Sequence, residues 1–178
     1  MARGLGIEID ADAVRALALE GGKRPRIVAF AERAVDQDAS RPWADRAREA
    51  VKAAVAEAGG ARGRIAASID SGDAILRELQ LPFTNDEQIR KTVRFELEQH
   101  IHNHAIEDLV VDFVKTGTTG KATQLLVAGV PKTVVEERLR LLESAGADPA
   151  LLDLDALALF NAFVAAGAVS EEAPLLVL

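Results

Sequence analysis

The spacing of apolar side chains changes once within residues 5–58, and that change restricts the fold more than any other feature of the chain. From Leu5 to Leu19 apolar residues fall on either side of a polar break at Asp10–Asp12, the pattern of two short strands joined as a hairpin. After the turn at Gly21 and Gly22, Arg26–Val35 resumes the alternation with Ile27, Val28, Phe30 and Ala34, so three consecutive antiparallel strands are expected. Then the period lengthens. Trp43, Ala47, Ala50, Val51, Ala54, Val55 and Ala58 keep helical spacing until Gly59 and Gly60 stop it, with Ser40 as the expected N-cap and Pro42 in the first turn. A helix with one apolar stripe following such strands has to pack on the sheet they form.

Further along, Arg64–Ile69 and Ala74–Leu81 read as two more strands, separated by the turn residues Asp70, Ser71, Gly72 and Asp73 and closed by Pro82. Thr84, Asn85 and Asp86 can cap a helix running to about Ile101, with Ile89, Val93 and Leu97 on one face and Phe95 beside them. Leu109–Lys115 and Thr123–Val130 read as strands joined by a Gly117–Gly120 turn. A helix over Pro131–Ala145 ends at Gly146, and a short strand at Leu151 and Leu152 leads into a helix over Asp155–Ala166. The order helix, strand, strand, helix, strand predicts a second unit over 81–152, inserted into a first unit made of 1–80 and 153–178. The closing PLLVL, Pro174–Leu178, reads as strand residues with nothing after them to pair with, so the first unit is expected to be incomplete.

Composition narrows the function. With 178 residues and 49% hydrophobic content the chain can bury a core. A net charge of -7 and no basic stripe argue against a nucleic-acid partner, whose phosphates draw affinity from clustered Lys and Arg. Cysteine is absent, which removes disulfides, thiolate metal sites and cysteine nucleophiles and fits a reducing cytosol. No signal peptide is legible at the start and no apolar run approaches the ~20 residues of a membrane span, so any membrane association is expected to be indirect.

Motifs with direct chemistry are few. Ser68 and Ser71 lack a nucleophile-elbow context. The glycine-rich stretches Gly59–Gly63 and Gly117–Gly120 lack the lysine and helix start that phosphate cradling needs, and read as turns. His100, His102 and His104 either share one face of an extended segment, as metal ligands would, or form a solvated turn favoured by the negative end of the helix dipole. Glu96 and Glu98 read as solvated or paired with Arg94, and Glu136–Glu137 and Glu171–Glu172 as exposed acids that serve solubility.

Three stretches together resemble the PilM family of the actin and FtsA superfamily. GIEIDADAVRALAL, from Gly6, is similar to the family's first phosphate hairpin, a Gly-Ile-Asp-Ile-Gly pattern followed by small hydroxyl residues and Val-Lys. LRELQLPFTNDEQIRKTVRFELEQHI, Leu76–Ile101, resembles the Leu-Pro entry into an inserted 1C subdomain. LLVAGVPKTVVEERLRLLESAGADPALLDLDALALFNAF, Leu125–Phe163, is similar to the return to subdomain 1A. The middle stretch also resembles the cytoplasmic part of type II secretion GspL proteins, a second family. The resemblance implies an α/β fold: an actin-like (ribonuclease H-like) 1A subdomain interrupted by a PilM/FtsA-type 1C subdomain.

The function so implied is that of a cytoplasmic scaffold for a type IV pilus or related secretion machine. It would bind the cytoplasmic tail of a PilN-type inner-membrane protein in a groove between 1A and 1C, and self-association is a further possibility. Groove walls would come from Leu79, Leu81, Phe83, Ile89, Val93 and Leu97, which equally fit an ordinary core. The alternative is an ATP-binding, actin-like ATPase. By resemblance Glu8, Asp10, Asp12 and Arg15 lie nearest the nucleotide of a full-length parent, with Glu8 the indirect magnesium contact; the 178 residues alone are expected to hold neither ATP nor Mg. Asp10 stands where the family has the glycine that lets backbone approach an anion, Glu8 replaces an aspartate, and Arg15 replaces a lysine while keeping its charge. The hairpin is thus either a weakened phosphate site or a plain structural turn.

Overall fold

The computed structural model describes residues 3–22 and 25–169. The chain divides into two compact units, Met1–Ser71 with Arg138–Leu178, and Gly72–Glu137.

The first unit is built on a mixed five-stranded sheet. Its strands are β1 (Arg3–Ile9), β2 (Ala13–Glu20), β3 (Arg26–Ala34), β4 (Arg64–Ile69) and β8 (Leu151–Leu154), in spatial order β3-β2-β1-β4-β8. Short loops make β1, β2 and β3 antiparallel neighbours, as the sequence suggests. Helix α1 (Trp43–Glu57) carries the chain across the sheet, so β4 joins β1 in parallel. The register Leu5↔Ala18, Ile7↔Ala16 and Ile9↔Val14 sets these side chains on one face. There they form a single core with Ala47, Val51, Ala54 and Val55 of α1 and with Leu141 and Leu142. Gly63, ahead of β4, has φ +80°, and a Cβ there would stand 2.0 Å from the carbonyl oxygen of Arg3, so this entry to the sheet admits glycine alone.

Ser40 is not the cap of α1. Its N–H donates to Asp38 Oδ1 in a turn, and Pro42, with φ -55° and ψ 137°, occupies the N-cap position without a side-chain bond. Helix α4 (Asp155–Ala165) follows β8 and lies against β8 and β4. Apolar throughout after Asp155 except for Asn161, it contains no buried residue.

The second unit pairs β5 (Ile75–Leu81), β6 (Leu109–Thr119) and β7 (Ala122–Pro131) as an antiparallel sheet in the order β5-β7-β6. Helix α2 (Asp86–Glu98) is capped by Asn85, whose side chain accepts from the N–H groups of Glu87 and Gln88 at 2.9 and 3.3 Å. Asp86 and Glu87 in its first turn suit the positive end of the helix dipole. Its stripe Ile89, Val93 and Leu97 packs with Leu81, Leu109, Leu125 and Val127. Phe95, read as lying beside that stripe, points outward and is 68% exposed. The β6–β7 turn is tighter than expected: β6 continues through Gly117, and only Gly120 and Lys121 separate the paired Thr119 and Ala122.

The units divide differently from the expected 81–152 insertion. β5 pairs with β7 alone and so belongs to the inserted unit, whereas β8 pairs in parallel with β4, Ala66↔Leu151 through Ile69↔Leu154, and belongs to the first. The return falls within helix α3 (Lys132–Ser144), at Glu137/Arg138. Pro174–Leu178 and Glu171–Glu172 lie outside the described residues.

Candidate functional site

The β1–β2 hairpin brings Glu8, Asp10 and Arg15 together because Glu8 and Arg15 are cross-strand partners and Asp10 follows at the strand end. Arg15 Nη1 donates to Asp10 Oδ2 at 2.6 Å and to Glu8 Oε2 at 3.0 Å. Its Nε donates to Glu32 Oε2 at 2.6 Å, Glu32 being the cross-strand partner of Arg15 on β3. The hydrogen bonds it donates to Asp10, then Glu8, then Glu32 hold the guanidinium pKa above its ordinary value. Three carboxylates face one cation, leaving a net charge of -2 on the group. Asp12 stands apart from it, exposed at the hairpin tip.

The tip backbone is held from several sides. Asp10 N–H donates to the Ala13 carbonyl at 2.9 Å, Val35 N–H to the Asp12 carbonyl at 2.7 Å, and the Trp43 indole N–H to the Ala11 carbonyl at 3.1 Å. Arg138 Nη1 donates to the Ile9 carbonyl at 3.1 Å. Among the described residues every left-handed backbone conformation lies at a glycine, and none of those glycines is in the hairpin. One form of anion-binding nest turns successive N–H groups to one side with a left-handed residue, and the hairpin has none. As they stand its residues fit a phosphate group poorly: Arg15 Nε and Nη1 are bound to three carboxylates, and the Asp10 N–H is bound to the Ala13 carbonyl.

Beside the hairpin, on the sheet face opposite α1, a cleft of about 360 Å³ is floored by Gly6, Leu17, Phe30, Ala66, Leu151 and Leu159. Glu8, Arg15 and Asp155 also line it. The Asp155 carboxylate accepts from the Ser71 N–H at 2.9 Å, the Ala156 N–H at 2.6 Å and the Ser71 hydroxyl. Partial burial works to raise its pKa, but these bonds and the Arg138 charge outweigh burial and hold it below the usual carboxylate range.

The residues expected to wall a groove differ in their exposure. Leu81, Ile89, Val93 and Leu97 are at most 3% exposed, within the core of the second unit, and Leu79 and Phe83 pack half-buried against that core. A stripe of large aliphatic side chains fits a core and a groove wall equally well, and here it lies beneath α2. Exposed apolar side chains in this unit are instead Phe95, Val110 and Val114.

His100, His102 and His104 are exposed around the buried Ile101, and among the described residues no three His, Cys, Asp or Glu side chains are grouped to hold a metal. Arg94 donates to the Ile106 carbonyl at 2.9 Å. Sequence reasoning missed Glu32, Trp43 and Arg138 as neighbours of the hairpin. The alternation on β3 that places Phe30 on the cleft face also places Glu32 there, and this was the one available signal.

No curated protein matches the chain in sequence. Among solved structures, the PilM–PilN type IV pilus biogenesis complex contains a chain similar at 27% identity and a TM-score of 0.74, over 87% of this chain and 48% of that one. The cytoplasmic domain of EpsL, an inner-membrane component of the Vibrio cholerae type II secretion system, is similar at 17% identity and a TM-score of 0.60, over 85% of this chain and 57% of that one. The chain thus spans about half the length of the structures it matches. The family model of the type IV pilus assembly protein PilM matches residues 6–173, so the chain belongs to the PilM family.

Proposed function

We propose that the protein is a cytoplasmic scaffold of a type IV pilus or related secretion machine, and that it works by holding the cytoplasmic tail of a PilN-type inner-membrane protein. The observation that carries this reading is the family match over 6–173 together with the likeness, over 87% of the chain, to a PilM solved with PilN. In the same reading the first unit corresponds to the 1A subdomain and the inserted unit to 1C. Among the described residues no helix is long and apolar enough to cross a membrane, which accords with recruitment through a partner. Holding a tail needs exposed apolar side chains and free strand edges rather than reacting groups. Among the described residues, Ile27 and Phe30 on the edge strand β3, and Val110 and Val114 on the edge strand β6, offer both. Placement on a type II secretion platform is a second reading, favoured by the EpsL likeness at the level of fold alone.

The test is calorimetric titration of the full-length protein with a synthetic peptide of the cytoplasmic tail of the inner-membrane protein encoded beside it. The proposal expects saturable one-to-one binding with Kd on the order of micromolar. A folded protein that shows no binding to that tail at ~1 mM would sink it.

A further inference from the structure

We infer that the β1–β2 hairpin is a self-filled site: Asp10, Glu8 and Glu32 occupy the Arg15 guanidinium that a phosphate would need, and the hairpin takes no part in nucleotide binding. The inference stands independently of the adaptor reading.

Two separate observations carry it. The first is charge. Arg15 is bound through Nε and Nη1 to three carboxylates at 2.6–3.0 Å. A triphosphate arriving here meets a group of net charge -2 and has to break charge-assisted hydrogen bonds before it makes any. A magnesium ion fares little better, because Glu8 Oε2 and Asp10 Oδ2 already accept from the same Nη1. The second is backbone. With no left-handed residue between Ile9 and Val14, and with the Asp10 N–H bound to the Ala13 carbonyl, the tip lacks the left-handed form of anion nest and has one backbone donor fewer to offer. The Trp43 indole on the Ala11 carbonyl and the Val35 N–H on the Asp12 carbonyl hold the tip in that form. The residues that depart from the family pattern are thus explained together: Asp10 in place of glycine gives Arg15 one of its acceptors, Glu8 gives it a second, and Arg15 in place of lysine can serve three acceptors where an ammonium on a flexible stem would not be held in this fork.

The experiment is a Mg-ATP titration of the full-length protein, read by calorimetry and by the backbone amide signals of Asp10–Ala13. The inference expects those amide signals to stay in place up to ~5 mM Mg-ATP. Any saturable binding elsewhere in the protein should change by less than about twofold in Arg15→Ala. Arg15→Ala itself should lower Tm by roughly 2–4 °C, and adding Asp10→Asn should recover part of that, because the deletion leaves like charges facing one another. Saturable shifts of the Asp10–Ala13 amides in the unaltered protein, a loss of affinity above about tenfold in a folded Arg15→Ala, or an unchanged Tm in that variant would each overturn the inference.

Discussion

Both units pack a helix on a sheet, but the first mixes many alanines into the contact where the second uses large aliphatic side chains. In the first, α1 brings Ala47, Ala50 and Ala54, with Val51 and Val55, to a core in which the sheet places Ala16, Ala18, Ala31 and Ala67 among Leu5, Ile7, Ile9 and Val14. In the second, α2 meets its sheet through Ile89, Val93 and Leu97, against Leu81, Leu109, Leu125 and Val127. Small residues on both partners let helix and sheet approach closely and leave no room to add volume. Large ones hold them apart and leave a hole when shortened. The two cores should therefore fail in opposite ways.

Truncation in the second unit is the largest effect expected. Leu97 is fully buried, and a Cβ built at Gly129 would stand 3.2 Å from its Cδ2, so the helix sits directly on the sheet at this point. Leu97→Ala should cost about 2–5 kcal/mol in urea denaturation. If the inserted unit melts by itself, the loss will appear in the earlier of two transitions, which would sharpen the comparison. Enlargement in the first unit comes next: Ala54→Leu, at a position with no exposure, should cost about 1–3 kcal/mol. An Ala54→Leu variant as stable as its parent would break the comparison, since it would mean that spare volume lies under α1.

A smaller effect belongs to the point where the chain leaves the first unit. Asp155 is held by Ser71, and its pKa lies below that of an unfolded aspartate. A depressed carboxylate contributes stability that is complete above the unfolded value of about 3.9 and lost as pH falls through the lower folded value. Ser71→Ala removes the hydroxyl donor and should cost about 1 kcal/mol near pH 7. The difference between variant and parent should narrow below about pH 4, and a gap independent of pH down to about 2 would assign the role of Ser71 to packing rather than to this bond.

Much of this was legible from residue order. The Asn85 cap followed by Ile89, Val93 and Leu97 located α2, and Asp10–Asp12 between alternating runs located the first hairpin. Less was legible where a local pattern had more than one tertiary solution. Ala74–Leu81 and the short run at Leu151 and Leu152 read as strands from their own residues, but periodicity says nothing about which sheet a strand joins, and each pairs in the other unit from the one expected. The same limit applies to the α2 stripe, because apolar spacing marks a covered face without saying whether core or partner covers it. At the hairpin, Asp10 and Arg15 were visible as departures from a pattern. That they bind each other, and recruit Glu32 from a third strand, depends on cross-strand register that only the structure supplies.

The central claim is an adaptor whose tail binding does not answer to nucleotide at the first hairpin. Its most direct test is the tail-peptide titration of the full-length protein, run with and without ~5 mM Mg-ATP. The account predicts saturable binding with dissociation constants equal within about twofold in the two conditions. No binding in either condition, or a change above about tenfold that disappears in Arg15→Ala, would contradict it.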